Sequence, residues 1–274
     1  MVERIYGDIP NIKSDLEEKL DKYKPYMLYY NSNYKSILPK NSLVLDDTSD
    51  IEINDLSKIN NLSNTIEFLH LINYKVKTPV IKWPKNLVAI ILDYDSSDWM
   101  LVINQLPITL KFIRILNFDN KISNYTINWH PNLEVVYVKG CIVSNETIST
   151  LPVSVKLLDI YIYYLDIDIT VKYDTYFDNL PLQLEILKID LRDHILAKYF
   201  TSINNLPDSI QYLSLVYFDY NILKFPSNLK YLELYDKNTL NYGIIENIKK
   251  HKKPDEIVVD SISCEVFCKP KYYW

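Results

Sequence analysis

A ten-residue phrase, L-P-x-x-L-x-x-L-x-L, recurs along this chain and constrains its fold more than any other feature of the sequence. Nine copies match it, and successive copies begin 19 to 29 residues apart. They start at Leu62, Trp83, Leu106, Trp129, Leu151, Leu180, Leu206, Phe225 and Lys253. The stretch ILPKNSLVLDD, around Leu38, is an imperfect first copy. Repetition at this period predicts a solenoid, because a single short repeat cannot bury its own apolar side.

The apolar positions of the phrase predict one short strand in each repeat. Positions five and ten are aliphatic in all nine copies, and position two is proline in seven of them. Positions eight and ten are two residues apart, so they point to the same face of a strand. Proline fixes φ and has no N–H to donate, which suits a corner just before a strand. Stacked repeats then place parallel strands about 4.8 Å apart in one sheet.

These repeats resemble the leucine-rich-repeat superfamily, and the LP-x-x-L-x-x-L-x-L form is especially similar to the FNIP class of amoebae and giant DNA viruses. The resemblance extends over residues 62–262. It implies a leucine-rich-repeat solenoid: a curved parallel β-sheet of about nine to ten short strands, with an irregular, mostly non-helical convex side and short capping helices. The chain departs from the family pattern because it lacks the usual asparagine three residues after the last leucine. It also lacks the FNIP glycine, and glycine occurs only 3 times in all.

The ends of the chain predict two regions. Residues 1–37 are expected to form an N-terminal capping segment, in which SDLEEKLDKY from Ser14 is a short helix with an S-x-x-E capping box. Residues 38–274 form the predicted solenoid, including an amphipathic helix from Thr239 and a last strand. An insertion from Tyr161 to Asp174 alternates like an additional extended strand.

The side of the sheet that faces away from the leucine core is the predicted binding surface. Position seven is apolar or aromatic in every copy, and position nine is mixed. An apolar row beside a polar row is typical of a docking surface. The predicted partner contacts on this concave row are Phe68, Phe112, Tyr137, Leu157, Ile186, Tyr212 and Tyr231. Loops, the N-terminal segment or a second subunit are alternative covers for the same row.

Composition limits the partners and the compartment. The chain has 274 residues, 48% of them hydrophobic, and a formal net charge of −5 with acids and bases interspersed, so nucleic acid is not expected as a partner. The N-terminus has no apolar signal region and no apolar run reaches the roughly 20 residues that span a bilayer, so no membrane partner is expected. The odd count of 3 cysteines favours a reducing compartment. We therefore expect a cytoplasmic protein, in the host cytoplasm if the chain is viral.

No constellation of reactive residues is recognisable. The four histidines lie on different repeats or loops and form no H-x-x-x-H or H-E-x-x-H pattern. Cys264 and Cys268 have no second Cys or His pair nearby, and two free thiols are favoured over a disulfide. No phosphate-cradling glycine motif occurs. We predict no catalytic, metal-ligating or cofactor-binding residues, no cofactor and no enzyme activity.

The resulting hypothesis is a non-enzymatic protein-binding scaffold that uses the concave face of a leucine-rich-repeat solenoid. The resemblance to giant-virus repeat proteins implies that the partner can be a host protein. Residues 1–35 show no F-box pattern, so the ubiquitin-ligase role of some relatives is not carried over. The alternative is a structural, self-associating repeat protein, with a homodimer as one form.

Overall fold

The parts of the chain that the computed structural model describes form one parallel sheet. They are residues 41–46, 57–72, 82–93, 103–118, 127–140, 145–162, 177–191, 205–216, 224–235 and 258–260. Within them, ten strands lie side by side in chain order. The strands are β1 (Ser42–Asp46), β2 (Phe68–Ile72), β3 (Ala89–Asp93), β4 (Phe112–Phe118), β5 (Val135–Gly140), β6 (Leu157–Ile162), β7 (Ile186–Leu191), β8 (Tyr212–Val216), β9 (Tyr231–Tyr235) and β10 (Val258–Asp260). The predicted solenoid of parallel strands, with one strand per repeat, is confirmed.

The register of the sheet follows the repeat. Position seven of one repeat lies opposite position seven of the next, as in Phe112 opposite Val135 and Val135 opposite Leu157. Ser42 lies opposite Phe68, so the imperfect first copy supplies the first strand. A one-residue slip anywhere would exchange the two faces of a strand. The conserved spacing inside the phrase therefore fixes which side chains enter the core.

The last repeat corrects the sequence alignment by one residue. The phrase starting at Lys253 puts Val259 at position seven and Asp260 at position eight. In the structure Val258 lies opposite Tyr231 and Val259 lies opposite Leu232, so the copy begins one residue earlier. The physical reason is the core column, which is aliphatic at position eight in the other copies. The shift places a valine rather than a carboxylate at that register position.

A turn that starts at position two explains why position five points inward. The carbonyl of Pro84 accepts a hydrogen bond of 3.1 Å from the N–H of Leu87, and that of Pro107 accepts one of 3.0 Å from Leu110. Such an i to i+3 bond closes a β-turn over positions two to five. The turn reverses the direction of the backbone before the strand begins. Position five therefore joins positions eight and ten in the core although it breaks their alternation.

Bonds between neighbouring repeats begin at position six. The Glu67 carbonyl accepts hydrogen bonds from both Val88 N–H and Ala89 N–H, at 2.8 and 3.0 Å. The same double acceptance recurs in each pair of repeats up to the one that contains Tyr231. Position six also carries charges of alternating sign in consecutive repeats, and Lys111 Nζ lies 3.1 Å from the Glu134 carboxylate. Position six thus joins neighbouring repeats through both backbone and side chains.

One continuous hydrophobic core lies behind the sheet. It contains the position-five, position-eight and position-ten columns together with the aromatic or leucine side chain at position one. Ile59, Ile103 and Ile148, three residues before the phrase, are also buried in it. Trp129 is buried at position one, where its indole Nε1 donates a 2.8 Å hydrogen bond to the Thr147 carbonyl. Burial of this apolar stack is the main force that holds successive repeats together.

Polar side chains before the strand join neighbouring repeats at their corners. Hydroxyls at position four donate to the position-five carbonyl of the preceding repeat: Thr109 to Leu87 at 2.7 Å, Ser154 to Leu133 at 2.6 Å and Ser209 to Leu184 at 2.7 Å. Two residues before the phrase, the Asn60 and Asn104 amide oxygens accept hydrogen bonds from the backbone N–H of the next repeat. These bonds satisfy corner groups that no strand partner reaches.

Helix is scarce in the described residues. It comprises α1 (Ser57–Asn60) and α2 (Asn145–Ser149), each about one turn long. No helix among those residues is long and apolar enough to cross a bilayer. The predicted helices from Ser14 and from Thr239, and most of the insertion after Tyr161, lie outside the described residues. The proposed boundary between residues 1–37 and 38–274 therefore stays a prediction.

Candidate functional site

The sheet buries side chains on both of its faces. Opposite the main core, a second hydrophobic cluster occupies the face that carries positions seven and nine. We call it the outer face; it is the side of the sheet on which the concave binding row was predicted. Its buried members are Phe68, Ala89, Ile91, Phe112, Leu116, Val135, Leu157 and Ile186. Tyr137, Tyr212 and Tyr231 pack against it and are half-buried. The outer face is therefore an apolar row with a polar border rather than a uniformly exposed surface.

The structure brings all seven predicted contact residues to this face, but it does not expose them equally. Phe68, Phe112, Leu157 and Ile186 are buried, so their side chains offer little surface to a partner. Tyr137, Tyr212 and Tyr231 keep accessible surface. The rings of Tyr212 and Tyr231 stack with centroids 4.9 Å apart and planes 8° from parallel. Partner binding by this row stays a prediction, and its accessible part is the aromatic one.

A polar group of side chains crosses the middle of the outer face. It occupies position nine and also position eleven, because β5, β6 and β7 continue for two residues beyond position ten. We call this group the charge–tyrosine cluster; it consists of Arg114, Tyr137, Lys139, Asp159, Tyr161, Lys188 and Asp190. The register aligns Arg114, Tyr137, Asp159 and Lys188 across four consecutive strands. Lys139, Tyr161 and Asp190 form the second row.

The two rows repeat one chemical order with an offset of one strand. At position nine, β4, β5 and β6 carry a cation, a tyrosine and a carboxylate in that order (Arg114, Tyr137, Asp159). At position eleven, β5, β6 and β7 carry the same order (Lys139, Tyr161, Asp190). Each cation lies over the ring on the following strand. Arg114 is 4.0 Å from the centroid of Tyr137, and Lys139 is 5.2 Å from that of Tyr161. Cation–ring attraction of this kind holds the long side chains in defined positions.

A cavity of about 350 Å³ lies over the cluster. The seven cluster side chains line it together with Ile189, Ser214 and Val216. Its wall thus combines three cations, two carboxylates and two tyrosines, and Lys188 lies 5.2 Å from the ring of Tyr212 at its border. A concave site with several convergent polar groups is the usual form of a binding site.

Electrostatics in the cavity are dominated by the central carboxylate. Burial raises the pKa of Asp159 to about 6, although Lys188 and Arg114 act in the opposite direction. The nearby Asp190 carboxylate adds to the rise. Asp159 therefore changes charge slightly below neutral pH, whereas an aspartate in water has a pKa of about 3.9. The net charge of the cavity becomes more positive as the pH falls through 6.

Tyr137 in the cluster and His70 elsewhere on the outer face are both neutral near pH 7. Burial raises the pKa of Tyr137 to about 12, assisted by the Asp159 charge and opposed by Arg114. Burial lowers the pKa of His70 to about 4, and the Arg114 charge contributes to that decrease. His70 occupies position nine of β2, two strands from Arg114. The low pKa shows that its imidazole is a neutral part of the outer face.

The arrangement is suited to binding polar and charged groups. Among the residues that the structure describes, no group of three or more His, Cys, Asp or Glu side chains could hold a metal ion. The cluster offers hydrogen-bond donors and acceptors at fixed spacing, set by adjacent strands. Such a surface matches a partner whose own charges alternate, since complementary potentials select partners.

The sequence contained a signal for this cluster that the repeat phrase did not use. Position nine was recognised as mixed, but the phrase ended at position ten and left out Lys139, Tyr161 and Asp190. In β6 and β7 the buried Ile162 and Leu191 follow at position twelve, so alternation continues past the phrase. That alternation predicts an outward side chain at position eleven.

Comparison with known proteins finds a distant structural likeness. No protein-family profile matches the chain, and no curated protein sequence matches it. Among solved structures, it is similar to the leucine-rich repeat-containing protein LegL7 from Legionella pneumophila, with a TM-score of 0.44 and 14% identity over 81% of this chain and 83% of that one. So distant a likeness carries no functional argument. The FNIP class and a viral origin stay predictions.

Proposed function

We propose that the protein is a non-enzymatic protein-binding scaffold whose contact surface is the outer face of the solenoid sheet, centred on the charge–tyrosine cluster. The observation that carries this proposal is the cavity over Arg114, Tyr137, Asp159 and Lys188, which four consecutive strands hold in register. A rigid sheet spares a binding surface much of the entropy cost of ordering its side chains.

Because most side chains at position seven are buried, the proposed partner contact is formed chiefly by side chains at positions nine and eleven. Phe112 and Leu157 are buried in the outer-face cluster, whereas Tyr137, Tyr161 and Lys188 are half-buried and remain within reach of a partner. Tyrosine and arginine are the residue types that contribute most to protein interfaces. The partner best matched to this surface is a protein segment that carries both acidic and basic side chains.

Affinity purification from the cell that makes the protein, followed by titration of the identified partner, tests the proposal. We expect Lys188→Glu to weaken binding by about tenfold or more, because it reverses a charge inside the cavity. Lys156→Glu is the matched control, since Lys156 is exposed at position six, outside the cavity, and undergoes the same charge change. Its affinity should stay within about twofold of the parent protein. Equal loss in both variants, or no loss in either, would contradict a contact at the cluster.

A further inference from the structure

A second surface with an ordered pattern lies at the corners that precede the strands. Position three is apolar in four consecutive repeats, and all four side chains are exposed. Ile108 is 64% exposed, Val153 58% and Leu182 78%, and Pro131 is exposed between them. Single exposed apolar residues are common on protein surfaces and need no explanation. Four at the same position of adjacent repeats form a continuous patch.

Hydrogen bonds between corners show that these positions are neighbours in space. Asn132 Nδ2 donates to the Ile108 carbonyl at 2.9 Å, and Ser154 Oγ lies 2.7 Å from the Pro131 carbonyl oxygen. The repeats that carry Val153 and Leu182 are adjacent in the sheet as well. Neighbouring strands lie about 4.8 Å apart, so adjacent side chains of this row are within contact range.

Opposite charges border the apolar positions. Lys85 fills position three in the repeat before Ile108, and Asp208 fills it in the repeat after Leu182; both are exposed. We call this six-residue row the corner ridge: Lys85, Ile108, Pro131, Val153, Leu182 and Asp208. Its chemical order is cation, four apolar residues, anion. When two copies of the ridge lie side by side in opposite directions, the cation of each copy faces the anion of the other and the apolar residues face each other.

We infer that the corner ridge is the interface of a homodimer with two-fold symmetry. A two-fold axis between the Pro131 and Val153 repeats places Lys85 of each copy opposite Asp208 of the other. The same operation places Ile108 opposite Leu182 and Pro131 opposite Val153. A two-fold interface uses the same patch on both copies and so must be self-complementary. The corner ridge meets that condition in both charge and apolarity, which favours a second copy over an unrelated partner.

The size of the ridge sets the expected strength of the dimer. Six strands at about 4.8 Å spacing give a row of about 24 Å. Such a narrow row lies at the small end of specific interfaces, which bury about 800 Å² on each partner. We therefore expect a dimer that dissociates on dilution, with a dissociation constant on the order of micromolar.

Sedimentation equilibrium of the full chain over a range of concentrations tests the interface. The parent protein should change from monomer to dimer between about 1 and 200 µM. Val153→Glu and Leu182→Glu should each raise the dissociation constant at least about tenfold, because each buries a charge against an apolar side chain. Both side chains project into solvent in the monomer, so circular dichroism of the variants should match that of the parent.

A charge exchange tests the two-fold arrangement itself. Lys85→Glu and Asp208→Lys should each weaken the dimer, since each puts like charges opposite one another at both ends of the ridge. The double variant Lys85→Glu with Asp208→Lys restores both opposite pairs and should return the dissociation constant to within about threefold of the parent value. Asp208 also accepts a hydrogen bond from the Ser227 N–H, so Asp208→Lys removes a bond within the monomer as well. The dissociation constant of Lys85→Glu is not affected by the loss of that bond.

Three outcomes would overturn the inference. They are a monomer at about 200 µM, a dimer that Val153→Glu and Leu182→Glu leave unchanged, and a double exchange variant no tighter than the single ones. The inference goes beyond the proposed function because the corner ridge lies outside the cavity. Lys188→Glu should accordingly leave dimerisation unchanged.

Discussion

The guanidinium carbon of Arg114 lies 4.0 Å from the centroid of the Tyr137 ring on the next strand. Lys139 and Lys188 make the equivalent approach to Tyr161 and Tyr212 at 5.2 Å. Arg114 is buried, with 7% of its surface exposed, whereas Lys139 and Lys188 are only half-buried. Cation–ring attraction strengthens as water is removed, so the arginine pair should contribute more to stability than either lysine pair.

The difference between these pairs can be measured by removing one ring at a time. Tyr137→Leu should lower the free energy of unfolding by about 1–2 kcal/mol, because a buried cation loses its ring partner. Tyr161→Leu removes the ring from the longer, more accessible lysine pair and serves as the matched comparison. Its cost should be about 0.5 kcal/mol. Urea unfolding of both variants measures the two costs, and equal values would contradict the ranking.

The raised pKa of Asp159 predicts a pH-dependent contribution to stability. The pKa is about 6 in the folded protein against a model value of 3.8, so folding favours the protonated carboxyl. That stabilising contribution is complete below pH 3.8 and is lost as the pH rises through 6. Asp159→Asn mimics the protonated form and should be more stable than the parent at pH 7.5. The advantage should shrink as the pH falls and disappear only below pH 3.8, as measured by unfolding at pH 7.5 and at about pH 3.

The lowered pKa of His70 predicts a pH dependence of folding stability that is opposite in sign to that of Asp159 and overlaps it in pH range. Its pKa is about 4 in the folded protein against a model value of 6.5, so folding favours the neutral imidazole. That stabilisation is complete above pH 6.5 and is lost as the pH falls through 4. The side chain is only 4% exposed, and the full loss amounts to about 3 kcal/mol.

Replacing His70 separates its contribution from that of Asp159. His70→Gln cannot gain a charge, so its stability relative to the parent should rise as the pH falls from 7 towards 4. Asp159→Asn should change in the opposite direction over the same range. Unfolding curves of the two variants at matched pH measure both trends. If the stabilities of the two variants changed in parallel with pH, these two groups would not control how the stability of the protein responds to acid.

Burial along position seven predicts a gradient of mutational cost. Phe112→Ala should lower the free energy of unfolding by about 3–5 kcal/mol, because Phe112 is fully enclosed on the outer face. Tyr231→Ala should cost about 1–2 kcal/mol, since Tyr231 is half-buried and loses chiefly its stacking on Tyr212. Chemical unfolding of both variants checks the ranking. A cost for Tyr231→Ala that reached that of Phe112→Ala would contradict it.

Most of the fold was predictable because the repeat phrase encodes both the strand and the corner. Aliphatic residues at positions eight and ten identify the inward face of a strand, and proline at position two identifies the turn before it. These are local properties of the backbone. The last repeat was misaligned by one residue because its core column is weak, and the register there is determined by pairing with β9.

The candidate site was predictable only in part, because burial is a property of the folded chain. Parity places Phe68 and Tyr231 on the same face, but it does not show that the first is enclosed and the second half-buried. The position-eleven row was missed because strand length depends on neighbouring strands. The shift in the pKa of Asp159 likewise depends on Arg114, Lys188 and Asp190, which belong to other repeats.

The hydroxyl bonds of position four have a consequence for how this protein can vary. Thr109, Ser154 and Ser209 reach back to the preceding repeat from inside the ten-residue phrase. Connecting segments of different lengths can therefore separate the phrases without disturbing these bonds. Duplication or deletion of a whole unit would lengthen or shorten the molecule by one strand, about 4.8 Å, and leave every remaining junction of the same kind. Unequal recombination within such a gene would therefore change the length of the solenoid while its architecture stayed the same.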